Sequence, residues 1–267
     1  SFYGLECLGV YRGYDGLIEA DFIPLDSKSV RNILSQGGTM LKSARSHAFR
    51  SPEGRAIAAA FAECGARLVQ IDRPEAVPPN QSGWIGCDLA DRAALIHAAE
   101  QIKGPIAALI NCAGVFRRMA LTDTEAENEW DRALSINLTA PYLLTRALVP
   151  NLTGGAVVNV TSVRAETAAE RASAYTVSKA GLAALTLSLA EELAPRQIRA
   201  NSVAPGDVDT AMGNGDPSVT AKLVARTPLR RMARPEEVAA ACVFLASPLA
   251  SHITGSTLRV DGGFLAV

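Results

Sequence analysis

The sequence predicts an α/β protein built on a doubly wound parallel sheet, a three-layer αβα arrangement within one domain. Two observations predict it. From about residue 53 to the last residue, short runs of β-branched and small apolar residues alternate with longer runs whose apolar residues recur at helical spacing. Strands alternating with helices argue for a parallel sheet covered on both faces. The chain also has 267 residues, 48% of them hydrophobic, enough for one large core.

The elements follow in order. GRAIAAAFAECGA reads as a helix closed by a glycine, RLVQID as a strand, LADRAALIHAAEQI as a helix and PIAALINCAG as a strand. TEAENEWDRALSINLTAPYLLTRALVPNL reads as helix. AVVNVTS is a buried strand of small and β-branched residues, and AYTVSKAGLAALTLSLAEELA is a long helix. IRANSVAPG is a strand, PEEVAAACVFLAS the final helix and TLRVDGG the final strand. In such sheets ligands bind beyond the carboxyl ends of the strands, where Asp72, Asn111, Ser162 and Pro205 fall.

Chemistry concentrates in NVTSVRAETAAERASAYTVSKAG, where Lys179 follows Tyr175 by four residues and Ser162 precedes it by thirteen. A phenol with a reference pKa of ~10 is too weak an acid to act near neutral pH. A nearby ammonium favours the phenolate, and positions i and i+4 share one helix face. Tyr175 and Lys179 can then act on one substrate atom while Ser162, ending a strand, holds the substrate oxygen. The pair alone also arises by chance on any surface helix; the serine strand before it and the long helix around it favour the chemical reading.

This segment resembles the short-chain dehydrogenase/reductases, and the likeness runs from about residue 54 to 267. Asn111-Cys112-Ala113-Gly114 is similar to the family's Asn-Asn-Ala-Gly turn, and Asn137 matches the asparagine of its catalytic tetrad. Pro205-Gly206-Asp207-Val208-Asp209-Thr210 resembles the loop that closes over the nicotinamide, and Asp261-Gly262-Gly263 the C-terminal Asp-Gly-Gly. The resemblance implies a Rossmann-like fold and hydride transfer between a nicotinamide cofactor and a small-molecule secondary alcohol or ketone. It implies that Tyr175 exchanges the proton, Ser162 orients the substrate, Lys179 also binds the nicotinamide ribose, and Asn137 holds a relaying water. Ala113, Gly114, Val208 and Thr210 fall with Asn111, Pro205 and Gly206 among the implied cofactor contacts. Each landmark has a plainer reading: a turn at Asn111 to Gly114, a satisfied helical amide at Asn137, an ordinary turn at Pro205-Gly206.

Two carboxylates refine the cofactor expectation. Asp72, ending the second strand of the cofactor half, can accept hydrogen bonds from an adenosine ribose and would repel an added phosphate, so NAD is expected over NADP. Adjacent Arg73 softens that preference. Asp88-Leu89 matches the family's pair beside the adenine; a plain helix N-cap is the competing reading of Asp88.

The resemblance breaks near the start. The family's glycine-rich loop lets backbone approach a pyrophosphate at a helix N-terminus, but the corresponding stretch here is His47-Ala48-Phe49-Arg50-Ser51-Pro52-Glu53-Gly54. Only Gly54 survives; Pro52 removes a backbone donor and Glu53 adds negative charge. Residues 3 to 55 resemble part of the N-terminal domain of phosphofructokinases, with Gly37-Gly38-Thr39 and Ser43-Ala44-Arg45 as the most specific pieces. That resemblance implies that TMLKSA takes the place of the dehydrogenase's first strand, and that LECLGVY adds another. The segment has no Gly-Gly-Asp loop, aspartate-bearing catalytic loop or sugar-phosphate domain, which argues against phosphotransfer. The simplest account is a chimera, by engineered recombination, of residues 1–55 with a dehydrogenase-like portion over 56–267 in a single domain.

The net charge of −1 offers nothing to nucleic acid or membrane surfaces. No apolar run approaches the ~20 residues that span a bilayer, and no secretory signal opens the chain, so a cytoplasmic location is expected. Cys7, Cys64, Cys87, Cys112 and Cys242 are scattered, and His47, His97 and His252 lack ligand spacing, so neither a disulfide framework nor a metal site is expected. The family resemblance implies a homodimer or homotetramer packed through helices near residues 130–150 and 175–195. Three readings stand at this point: an active oxidoreductase, a folded scaffold with impaired cofactor binding, and a binding or regulatory protein that uses the cleft without turnover.

Overall fold

The computed structural model describes residues 7–10, 22–25, 39–43, 52–77, 82–152, 154–210 and 217–267. Strands β3 (Thr39–Ser43), β4 (Arg67–Asp72), β5 (Trp84–Gly86), β6 (Ile106–Asn111), β7 (Ala156–Val160), β8 (Arg199–Pro205) and β9 (Thr257–Val260) form one seven-stranded sheet in the order β5-β4-β3-β6-β7-β8-β9. Every neighbouring pair is parallel. Successive strands step outward from β3 to β5 on one side and from β6 to β9 on the other. The chain therefore reverses direction across the sheet between β3 and β6, and the crevice beyond their carboxyl ends is where ligands bind in folds of this kind.

Two apolar layers fix the helices to that sheet. Helices α2 (Arg92–Glu100), α4 (Ala140–Leu148) and α5 (Ser173–Leu193) lie against one face, around Ile71, Leu95, Leu109, Leu144, Val157 and Leu189. Helices α1 (Pro52–Glu63) and α7 (Pro235–Ala246) pack on each other and on the opposite face, around Ile57, Phe61, Ile110, Val158, Val203 and Val238. Alternate residues of β6 and β7 feed opposite layers, as strand pleating requires. Each fully buried Leu or Ile contributes roughly 1.5–3 kcal/mol. Asp91 starts α2 by accepting the N–H groups of Ala93 and Ala94 at 2.9 and 3.1 Å, a side-chain N-cap.

The structure departs from the sequence reading at several points, among them the edge strand β5, which the sequence reading did not include. The long helix expected over residues 124–152 is broken: α3 (Ala126–Leu134) passes through a π-turn, Ser135–Thr139, before α4. Pro141 cannot supply the N–H that a continuous α-helix would send to the Asn137 carbonyl. An additional helix, α6 (Pro217–Arg226), stands in the connection between β8 and α7. Finally, β1 (Cys7–Val10) does not extend the main sheet; it pairs antiparallel with β2 (Phe22–Leu25) in a separate two-stranded sheet. Among the described residues no helix is long and apolar enough to cross a membrane, and no group of His, Cys, Asp and Glu is placed to hold a metal ion.

Candidate active site

Helix α5 buries Ser178, Lys179, Leu182, Thr186, Leu189, Ala190 and Leu193 along one stripe. Its apolar members drive the helix onto the sheet, and its polar members must then find partners in the interior. Lys179 is 3% exposed, and its Nζ donates to the Val160 carbonyl at the end of β7, at 2.7 Å. That bond holds the ammonium 5.9 Å from the centroid of the half-buried Tyr175 ring. The Phe116 ring meets Tyr175 edge-on at 4.9 Å, so the phenol is fixed from both sides. Ser162 lies two residues beyond β7 and begins the turn Val163–Ala165, which packs against α5. Its Oγ accepts the Arg164 N–H at 3.1 Å, leaving the hydroxyl hydrogen to donate elsewhere.

Asn137 sits in the π-turn and is fully buried. Its Oδ1 accepts the Val115 N–H at 2.6 Å, while Nδ2 donates to the Val115 carbonyl at 3.0 Å and to Ser178 Oγ at 2.8 Å. Both amide hydrogens are thereby used. The side chain pins the loop after β6 to α5, one residue before Lys179.

The remaining sequence-predicted residues occupy the carboxyl edge of the sheet, in differing environments. Asn111 ends β6, but its Nδ2 turns into the interior and donates to Asn159 Oδ1 at 2.8 Å; Asn159 continues to Thr186 at 2.9 Å. Ala113 and Gly114 follow, both buried. Asp72 ends β4 with its side chain fully buried. Burial pushes its carboxyl up to about 7, against the pull of the Arg73 N–H, which reaches Oδ1 at 2.8 Å, and of the Arg73 guanidinium. Asp88 is exposed and accepts the Ala90 N–H at 2.9 Å; Asp91 caps α2, so the N-cap reading of Asp88 is not met. Leu89 is buried.

Pro205 ends β8 and Gly206 follows it, donating its N–H to the Val260 carbonyl at 3.0 Å. A side chain at Gly206 would meet the Asp261 backbone, with Cα at 2.9 Å, so the Pro-Gly and Asp-Gly-Gly motifs are two halves of one close approach. Val208 and Thr210 are buried, and Val208 bridges to Ala233. Gly54 is the third residue of α1. The stretch from His47 to Ser51 lies outside the described residues.

A family model described as enoyl-(acyl carrier protein) reductase matches residues 53–265. The chain belongs to the short-chain dehydrogenase/reductase family. It is 37% identical over 229 residues to Protein FixR of Bradyrhizobium diazoefficiens, covering 79% of this chain and 82% of that one. It is 36% identical over 230 residues to the cis-4-hydroxycyclohexanecarboxylate dehydrogenase of Sinomonas cyclohexanicum, covering 80% of this chain and 92% of that one. A solved structure from Beutenbergia cavernae, a putative NAD(P)-dependent gluconate 5-dehydrogenase with bound NADP, superposes with a TM-score of 0.78 at 31% identity, over 88% of this chain and 100% of that one. A second family model, phosphofructokinase, matches residues 1–69. The two matches overlap through α1 and the first half of β4.

As a short-chain dehydrogenase/reductase, the chain must be tested against a dinucleotide. At one end Asp72 Oδ2 is buried with no hydrogen-bond partner among the described residues, an acceptor suited to a ribose hydroxyl. At the other, Lys179 and Tyr175 lie beside the carboxyl ends of β7 and β8. α1 opens at Pro52, and the stretch before it, where the phosphates are expected, lies outside the described residues. The residues described at the two ribose ends fit the cofactor.

Several site residues escape sequence reasoning. Ser178 anchors Asn137, and Phe116 walls Tyr175. Arg118, Arg164 and Arg226 gather around half-buried Asp207, whose carboxyl is raised by burial and pulled back by Arg164, Arg118 and Arg226. The only sequence signal for Ser178 is its place beside Lys179 on the buried stripe of α5. The arginines come from segments far apart in the chain and give none.

Proposed function

We propose that this protein is an NAD(P)-dependent oxidoreductase interconverting a secondary alcohol and a ketone. The observation that carries the reading is the Lys179 ammonium, buried and clamped by the Val160 carbonyl beside the Tyr175 ring. The ammonium favours the phenolate form of Tyr175, so the phenol can take a proton from an alcohol or return it to a forming alkoxide. Ser162 donates to the same substrate oxygen and fixes its distance from the phenol. A bound nicotinamide supplies the hydride donor or acceptor. Asn137 keeps Lys179 in register through Ser178; since its amide is occupied, the relay through water that the family resemblance implies runs through its backbone carbonyl, which Pro141 leaves without an α-helical partner.

Asp72, Asp88, Leu89 and the residues from Asn111 to Gly114 form the adenosine side of the proposed cofactor site, with Gly54 at the phosphates. Pro205, Gly206, Val208 and Thr210 form the nicotinamide side. We infer NAD as the preferred cofactor, since the Asp72 carboxylate repels a ribose phosphate; Arg73 and the raised Asp72 value both weaken that repulsion. The relatives support an alcohol substrate, one by its name a hydroxycyclohexanecarboxylate dehydrogenase. We also read β3, which pairs between β4 and β6, as the contribution of the phosphofructokinase-like segment to the shared sheet. The Pro52-Glu53 start of α1 favours a second reading, a folded scaffold whose cofactor binding is impaired.

Calorimetric titration with NAD and NADP separates the two. The oxidoreductase reading expects binding at or below millimolar NAD, turnover of secondary alcohols, and loss of turnover with retained binding in Tyr175→Phe. Absence of binding at millimolar concentrations of either cofactor leaves the scaffold.

A further inference from the structure

The charges around Asp207 carry the site beyond its proton chemistry. Arg118 follows β6, Arg164 lies in the turn begun by Ser162, and Arg226 is the last residue of α6, three segments far apart in the chain. Arg164 and Arg226 both stack on the buried ring of Phe264, with guanidinium carbons 5.1 and 4.9 Å from its centroid. Arg118 stacks on Phe116 at 5.6 Å, and Phe116 is the ring that touches Tyr175. One Nη of Arg118 donates to the Glu170 carbonyl at 3.0 Å, which leaves most of its N–H groups available.

Among the described residues none of these arginines closes an ion pair with a carboxylate. Among the described residues Asp207 faces all three electrostatically, with no hydrogen bond from them. Two cations over one ring, Arg164 and Arg226 on Phe264, repel each other unless an anion lies beside them, and the planar forks of arginine match carboxylate and phosphate oxygens. Aromatic stacking of the guanidinium planes on Phe264 and Phe116 fixes their direction in advance, which lowers the entropic cost of binding.

We propose that Arg118, Arg164 and Arg226 form the recognition site for an anionic group on the substrate, a carboxylate or a phosphate monoester, beside Tyr175 and Ser162. The assignment rests on the oxidoreductase reading for the position of the reacting alcohol; the anion site itself is testable by binding alone.

The test is calorimetric titration at low ionic strength, with and without NAD, using 3-hydroxybutyrate, glycerol 1-phosphate and the neutral methyl 3-hydroxybutyrate. At least one anion is expected to bind about tenfold tighter than the ester, a ratio typical of a charge-assisted hydrogen bond. R164Q and R226Q are each expected to weaken that anion by about tenfold and leave the ester unchanged. Asp207→Asn, which removes the competing internal carboxylate, is expected to tighten it. Preference for 3-hydroxybutyrate identifies a hydroxy acid substrate, and preference for glycerol 1-phosphate a phosphorylated alcohol. Equal affinity for anions and ester, or an anion preference that survives R164Q and R226Q in variants with unchanged thermal unfolding, overturns the proposal. Should either variant fail to fold, wild-type anion affinity that does not fall at high salt overturns it equally. Turnover of neutral alcohols without an anion preference removes only this proposal, whereas anion binding without any turnover removes only the oxidoreductase reading.

Discussion

Lys179 is worth more to the site as a buried charge than as a link in packing, and this separates two outcomes of its removal. Lys179→Met keeps the side-chain length and the burial while deleting the cation. Without the cation the phenolate form of Tyr175 loses its stabilisation, so turnover is expected to fall at least a hundredfold at pH 7 and to recover in part at alkaline pH. A pH–rate profile that is lowered uniformly, without that alkaline recovery, would make Lys179 a packing residue only. Asp72 makes a prediction of opposite character. Its carboxyl is raised from 3.8 to about 7 by burial, so the folded state holds a proton that the unfolded state has released. This contributes stability below about pH 4 that is lost as pH rises through about 7. Asp72→Asn is expected to match the wild type near pH 4 and to unfold about 3 °C higher at pH 8, while NAD affinity drops if Asp72 holds the ribose as proposed; differential scanning calorimetry against pH checks the first and titration the second. Tyr175, Lys179 and Ser162 were legible in the sequence because their spacing is local. For Asn137 the family resemblance implies a relaying water, but its side-chain partners Val115 and Ser178, 22 and 41 residues away, were not legible. The arginines at Asp207 were not legible at all, because only the folded sheet brings their segments together.

At the scale of elements, most strands and helices could be read from periodicity because each is an uninterrupted run with one buried face. The exceptions have local causes. The π-turn at Ser135–Thr139 is invisible to a pattern search, as one extra residue in a turn barely disturbs the apolar spacing of α3 and α4. The approach of β8 to Asp261 is also hidden, although both motifs were visible separately. Gly206 decides that contact: an added Cβ would lie 2.9 Å from the Asp261 Cα, a backbone atom with little freedom to move. Gly206→Ala is therefore expected to push the ends of β8 and β9 apart and to cost about 1–3 kcal/mol, the usual penalty for overpacking. Urea unfolding measures it. Since Pro205, Val208 and Thr210 ride on the same loop, the variant should also lose NAD affinity by more than its stability loss alone explains; unaltered stability would mean that the loop yields freely and does not depend on β9.

For the whole molecule, the helices that carry the site also carry several exposed apolar side chains. Trp130 on α3 is 38% exposed, Tyr142 on α4 47% and Leu187 on α5 60%. α3 packs on α5 and joins α4 through the π-turn, so these residues belong to one connected helical layer. Isolated apolar residues on a surface need no explanation, but several on adjoining elements mark an interface. Together with the family membership, this favours a homodimer or homotetramer formed through α4 and α5. Sedimentation velocity at micromolar concentration is expected to give a species of at least twice the chain mass, and Leu187→Glu to shift it toward the monomer. The fold places a consequence on that dissociation. Leu187 lies two turns beyond Lys179 on α5, whose other stripe holds Lys179 in the core, so on the proposed function uncovering the helix should lower the thermal midpoint and turnover together while leaving the pH dependence of turnover unchanged. A wild-type chain that sediments as a monomer would instead assign the exposed side chains of α3, α4 and α5 to no self-association.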